Sequence, residues 1–315
     1  MKLFFILFLF QILLGCSSGS SPTAQWEMAV QGVYSACLSS SGDRVLVGSI
    51  HHGGSYWQVD PVERLFDWNH KTDTKTGVLS CAISNNNQYA STAEHRKIVL
   101  WNAKTGEAFW LWEAPANIES MKLTQDGSFA LLGMDNYEAA LFDIQNGGVK
   151  FRLPHEGVVQ TVDVSLNSKW GITGGDDSWV KVWDLSTGKS SFSWQLENQI
   201  KVVAISQDGS LGFAASHRED SIIWDLTNGQ ELLKLAQNNG FYTSARFNPE
   251  GTELLTGNSS GHVILWDVKV GQIIKRWQLS PRSGWVNKKT QVLDVAFAPT
   301  GYKAVGANGI TYELN

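Results

Sequence analysis

Val159-Gln-Thr-Val-Asp-Val-Ser165 opens the stretch of sequence that decides the fold. Ser168 follows as a turn former, then the run Lys169-Trp-Gly-Ile-Thr173, a polar loop around Asp176-Asp-Ser-Trp179, and a third apolar run ending in Trp183-Asp184. Gly188 sits five residues after Trp183, and a further short run begins beyond it. Short runs rich in β-branched and aromatic residues, cut by tight-turn residues, read as strands, and no helical period crosses them. Four such strands in about 40 residues form one small sheet that cannot bury its own faces, so the unit needs neighbours.

The neighbours are in the sequence. The opening position recurs at Val33, Val78, Ile118, Val159, Ile200, Tyr242 and Val292, at intervals of 45, 40, 41, 41, 42 and 50 residues. The turn former recurs as Gly42, Asn87, Gly127, Ser168, Gly209, Gly251 and Gly301, mostly Gly because a tight hairpin demands positive φ. The aromatic-acid pair recurs as Trp101-Asn102, Phe142-Asp143, Trp224-Asp225 and Trp266-Asp267, with Val59-Asp60 and Leu314-Asn315 as degenerate copies. Gly106, Gly147, Gly229 and Gly271 keep the five-residue spacing.

From Trp26 to Asn315 this pattern resembles the WD-repeat family. The resemblance implies an all-β fold, a seven-bladed β-propeller of four-stranded antiparallel blades. The last repeat supplies only three strands, and Gln25-Trp-Glu-Met-Ala-Val30 is an orphan strand, so the ring is expected to close by this N-terminal strand completing the C-terminal blade. The family's Gly-His pair is mostly missing here, and its conserved-type Asp occurs only as Asp177. Blade four is therefore the place where the resemblance implies a structural network of His155, Thr173, Asp177 and Trp183.

Before the repeats stands a different kind of sequence. Met1-Lys2 is followed by an apolar run from Leu3 to Leu14, too short to span a bilayer and of signal-peptide length. Leu13-Leu-Gly-Cys16 looks like a bacterial lipobox, with cleavage before Cys16 and acylation of its thiol. Residues 1–15 are then a signal peptide, 16–24 a lipidated, Ser/Gly-rich tether, and 25–315 one propeller domain. Ser17, rather than Asp, after the Cys implies the outer membrane, facing the periplasm. The net charge of −5 offers no broad basic surface to nucleic acid.

The sequence assembles no catalytic group. Gly257-Asn-Ser-Ser-Gly261 has the spacing of a nucleophile elbow, but it falls between two strands, with no helix to follow Ser259. His51, His52, His95, His217 and His262 fall in loops without a fixed ligand spacing, so neither a metal nor another cofactor is expected. The expected function is a monomeric, non-enzymatic scaffold that binds a protein partner in the cell envelope through its top-face loops. Candidate contacts are Tyr137, Trp179 and Arg218 in the loops between second and third strands. Arg282, Trp285, Lys288 and Lys289 join them from the insertion that lengthens repeat six. The alternative is a receptor for a small molecule or glycan in the axial channel. Lys122 and Asp163, on neighbouring inner strands, suggest a structural ion pair. Cys37 and Cys81 take the fifth and fourth positions of their inner strands, so alternation sends them to opposite sheet faces, and two free thiols are expected rather than a bridge.

Overall fold

The computed structural model describes residues 19–50, 52–70, 77–217, 221–236, 240–284 and 289–315. In blade four the four runs become the strands Val159–Val164, Trp170–Gly175, Trp179–Asp184 and Lys189–Gln195, joined antiparallel in sequence order from axis to rim. Trp170 pairs with Asp184 and Trp183 with Ser190, so the aromatic-acid pair marks the end of the third strand. A bulge between Val159 and Thr161 shifts the innermost pairing, and the equivalent shift recurs in blades one, three, five, six and seven. Such bulges increase local twist, which a steeply twisted blade requires.

Seven four-stranded sheets of this kind stand in a ring, and each innermost strand touches the next, the seventh touching the first. The apolar layers lie between blades rather than within them. Ile172 and Val182 of blade four pack with Ile200, Ala214 and Trp224 of blade five. Phe213 and Ile223 of blade five pack in turn with Tyr242, Leu254 and Trp266 of blade six. Each buried large side chain in these wedges contributes roughly 1.5–3 kcal/mol by transfer alone. The stability of any blade is thus inseparable from that of its neighbours.

Blade seven is built from both chain ends. Val292–Phe297, Tyr302–Gly306 and Ile310–Leu314 take the three inner places, and Ala24–Glu27 takes the rim, with Ala24 opposite Glu313 and Glu27 opposite Ile310.

One expectation is corrected. Cys37 and Cys81 are bonded in a disulfide, with their Cα atoms 6.1 Å apart. The alternation argument holds within a sheet, but the two residues belong to successive blades. The face of blade one that looks at blade two meets the opposite face of blade two. Opposite parity is therefore what lets the two side chains meet across the wedge.

Candidate protein-interaction face

The turns joining second and third strands lie on one face of the disc, and the described turns of blades one to four, six and seven each reverse through a residue of positive φ. In blades one, six and seven that residue is glycine: Gly53, Gly261 and Gly309. In blades two, three and four it is His95, Tyr137 and Ser178, at φ 52°, 66° and 66°. A side chain in this region costs roughly 1–2 kcal/mol that glycine would avoid. Three consecutive blades therefore hold a functional group where a bare turn would be cheaper. Tyr137 is the bulkiest of them, and it is 54% exposed.

Its backbone is nevertheless fixed. The Tyr137 carbonyl accepts a hydrogen bond from the His155 N–H at 2.9 Å. The His155 ring, fully buried, places Nδ1 2.8 Å from Asp177 Oδ2 and Nε2 2.8 Å from Thr173 Oγ1. Trp183 Nε1 donates to the same Thr173 oxygen at 2.8 Å. Asp177 also accepts from the backbone N–H groups of Glu156 at 2.9 Å and Trp179 at 3.1 Å. Burial pushes the Asp177 carboxyl up, but the hydrogen bonds from His155, Glu156 and Trp179 outweigh it and hold the group below its ordinary 3.8. An ionised carboxylate only accepts, so Nδ1 carries a proton, and in the neutral imidazole Nε2 accepts from the Thr173 hydroxyl. Donors then run one way, from Trp183 through Thr173 and His155 to Asp177. The four residues named from the sequence form one continuous network. It joins the Tyr137 turn of blade three to the Trp179 turn of blade four.

The surroundings are acidic. Glu119 is raised above the usual glutamate value, first by partial burial and then by the negative charges of Asp135 and Asp176. Lys201 lies 3.7 Å from Asp176, and Arg152 pairs with Glu138 at 2.6 Å beneath the Tyr137 turn.

Other candidates are placed differently. Arg282 is turned inward: Nη1 donates to the carbonyls of Ala29 at 2.7 Å and Asn308 at 3.0 Å, while Nη2 pairs with Glu27 at 2.7 Å. Its side chain is 12% exposed, and it pins the repeat-six insertion onto the two chain ends that make blade seven. Lys289 is exposed, and its charge helps lower the pKa of His262, where burial is the first cause. Cys16, Arg218, Trp285 and Lys288 lie outside the described residues. Ser259 sits in a turn between strands, its N–H bonded to the Phe241 carbonyl. Among the described residues, no three His, Cys, Asp or Glu side chains gather to hold a metal.

Two features escaped the sequence reading. Blade two carries a partial copy of the network: Trp101 Nε1 donates to Thr92 Oγ1 at 2.8 Å, and His70 Nε2 lies 2.8 Å from that oxygen. Burial lowers the His70 pKa from its ordinary 6.5, outweighing Glu94. The usable signal was the recurrence of Thr on the second strand with Trp on the third, as in Thr92 and Trp101, Thr173 and Trp183, and Thr256 and Trp266. The second feature is the rim strand of blade two, Ala108–Glu113, which exposes Phe109, Trp110 and Leu111 at 45, 49 and 54%. Trp101, Trp183, Trp224 and Trp266 are buried between blades, whereas Trp110 is not.

The axial channel holds cavities of about 510 and 200 Å³, which share Cys37, Cys81, Lys122 and Ala245 at a waist. Arg246 bonds Asp294 at 3.1 Å and the carbonyls of Ser39 at 3.0 Å and Leu38 at 3.2 Å, tying blade six to blade one. Lys122 lies 3.9 Å from Asp163, whose carboxyl burial raises in spite of that charge. The larger cavity has Phe247 and Phe297 as its described aromatic lining, with no Trp or Tyr to stack against a sugar.

The family model described as WD domain, G-beta repeat, matches residues 149–184 and 229–267. The first match starts on the rim strand of blade three and the second in the turn just before the rim strand of blade five, and they end at Trp183-Asp184 and Trp266-Asp267 of the next blades. In both, a Trp indole donates to a second-strand Thr hydroxyl, at 2.8 Å in blade four and 2.9 Å in blade six. No curated protein matches the chain. WD40 propellers commonly act as protein-interaction scaffolds and are generally non-catalytic. The chain is thus a seven-bladed β-propeller of four-stranded blades, and its fourth and sixth blades carry repeats that match the WD family model.

Proposed function

We propose that this propeller is a non-catalytic scaffold, tethered to a bacterial envelope by an acylated Cys16, that binds a protein partner through the turns of blades two to four. The observation that carries the binding reading is Tyr137, exposed, held at positive φ and tied through His155 and Asp177 to the Trp179 turn. Rigid aromatics on fixed turns lose little entropy on binding, and they dominate interface energetics. Glu119, Asp135 and Asp176 around them suit a partner that presents basic groups.

The anchor reading rests on Leu13-Leu-Gly-Cys16, and Ser17 directs the protein to the outer membrane. The binding reading is tested by quantitative pull-down with Tyr137→Ala plus Trp179→Ala. Two hot-spot losses of about 2 kcal/mol each weaken a partner more than about 100-fold. Undiminished capture by the double variant removes this face from the reading.

A further inference from the structure

The described chain starts on the rim of blade six. Ser20 forms a parallel bridge with Trp277: its N–H donates to the Arg276 carbonyl at 2.8 Å, and its carbonyl accepts from the Gln278 N–H at 3.0 Å. Gly19 lies so close that a Cβ there would come within 2.9 Å of the Trp277 backbone. Three residues later, Thr23 donates to the Glu313 carbonyl and the chain passes to blade seven. The bridge fixes a direction. Ser20 runs parallel to the rim strand Ile273–Gln278, so Gly19 enters from the Arg276 side, toward the Ile273 end. Cys16 is four residues before Ser20, and four residues reach at most about 14 Å. The four residues from Trp277 back to Ile273 cover about 13 Å of strand.

That end of the rim is apolar and cationic. Val270, Ile273 and Ile274 are 54, 39 and 52% exposed. Lys269, Lys275 and Arg276 stand among them, and residues 268–278 contain no Asp or Glu, in a protein whose net charge is −5. Exposed aliphatic side chains flanked by cations are the composition that settles into the headgroup region of an anionic bilayer.

We propose that the blade-six rim, through Val270, Ile273 and Ile274 with Lys269 and Lys275, rests on the bilayer that holds the acyl chains of Cys16, so that the disc stands edge-on to the membrane. This inference rests on the lipid-anchor reading. It adds an orientation, because acyl chains alone hold a protein to a membrane without fixing its attitude. Standing on its rim, the disc leaves the Tyr137 face open to the aqueous side.

The test uses the full acylated protein in vesicles of phosphatidylethanolamine and phosphatidylglycerol containing spin-labelled lipid. The Cys37–Cys81 bridge leaves an introduced surface thiol as the reactive one, so a fluorophore is attached at Ile274→Cys, at Val270→Cys, or at Leu111→Cys on the distant rim of blade two. Quenching several-fold stronger at residues 274 and 270 than at 111 is the expected result. The mass of the N-terminal peptide is read from the same sample. Acylated Cys16 with equal quenching at all three sites overturns the rim contact and leaves the anchor standing, whereas an unmodified Cys16 overturns both.

Discussion

Thr173 shows how much one side chain can organise. Its hydroxyl oxygen accepts from Trp183, a wedge residue, and lies against His155, which in turn holds Asp177 and the two aromatic turns. His155→Ala removes one hydrogen-bond partner from the Asp177 carboxylate and one from the Thr173 hydroxyl, and losing such buried hydrogen bonds costs about 1–3 kcal/mol. We expect that loss in urea unfolding, with weaker partner capture through the loosened Tyr137 turn. Because the folded state depresses the Asp177 pKa below 3.8, its stabilisation is complete above that value and is lost as pH falls through the folded pKa. The stability gap between wild type and Asp177→Asn should therefore be largest near neutrality and close as pH drops below about 4. A gap independent of pH contradicts the ionised, hydrogen-bonded carboxylate. The disulfide is a further residue-scale test. Its partners are 44 residues apart. Closing a loop of that size is worth about 4 kcal/mol in the chain-entropy description, and engineered cases often give less. Reduction should shift the wild-type unfolding midpoint down to that of Cys37→Ala plus Cys81→Ala, and an unmoved midpoint argues that no bridge forms. The sequence hid this bond because side-chain parity was judged within one sheet, while the bond spans two.

At the scale of elements, the sequence was most legible where a local rule repeats. Glycines five residues after the Trp or Phe mark the third turn of blades two to six, where positive φ is needed, and Gly106, Gly147, Gly188, Gly229 and Gly271 all have it. The orphan strand was legible for the same reason: a repeat ending after three strands lacks its rim, and Ala24–Glu27 fills the place. What sequence could not rank was cover. Ala108–Glu113 and Ile273–Gln278 read alike as apolar rim strands, yet only the second receives Ser20 along its edge among the described contacts. Nor could it foresee that Arg282 turns inward, because its partners are backbone carbonyls at Ala29 and Asn308, far away in sequence. Removing residues 25–30 takes away both the rim strand and one of those carbonyls, so calorimetry should show a markedly lower, less cooperative transition. Arg282→Ala should reproduce a smaller part of that loss, about 1–3 kcal/mol for breaking a charge-assisted set of hydrogen bonds. If neither change moves the transition, the ring does not depend on this closure.

For the whole molecule, stability and function divide between wedge and face. The apolar layers between blades make the disc one cooperative body, so the turns on its top face can carry strained, exposed side chains without loosening the scaffold. Fold and blade count followed from spacing in the sequence, while the meeting of Tyr137 and Trp179 through His155 required three dimensions. The proposed tether at Cys16 adds location. Cys16→Ser should move the protein from the membrane to the soluble fraction after cell fractionation, and unchanged retention would remove the lipid anchor from the account. The central claim, a top-face site for a protein partner, is tested most directly by photo-crosslinking in intact cells. A photoreactive amino acid is placed at Tyr137, at Trp179, or at the exposed Glu250 on the opposite face. The account predicts one shared adduct of defined mass from residues 137 and 179 and none from 250. Adducts from 250 alone, or none from 137 and 179, would contradict it.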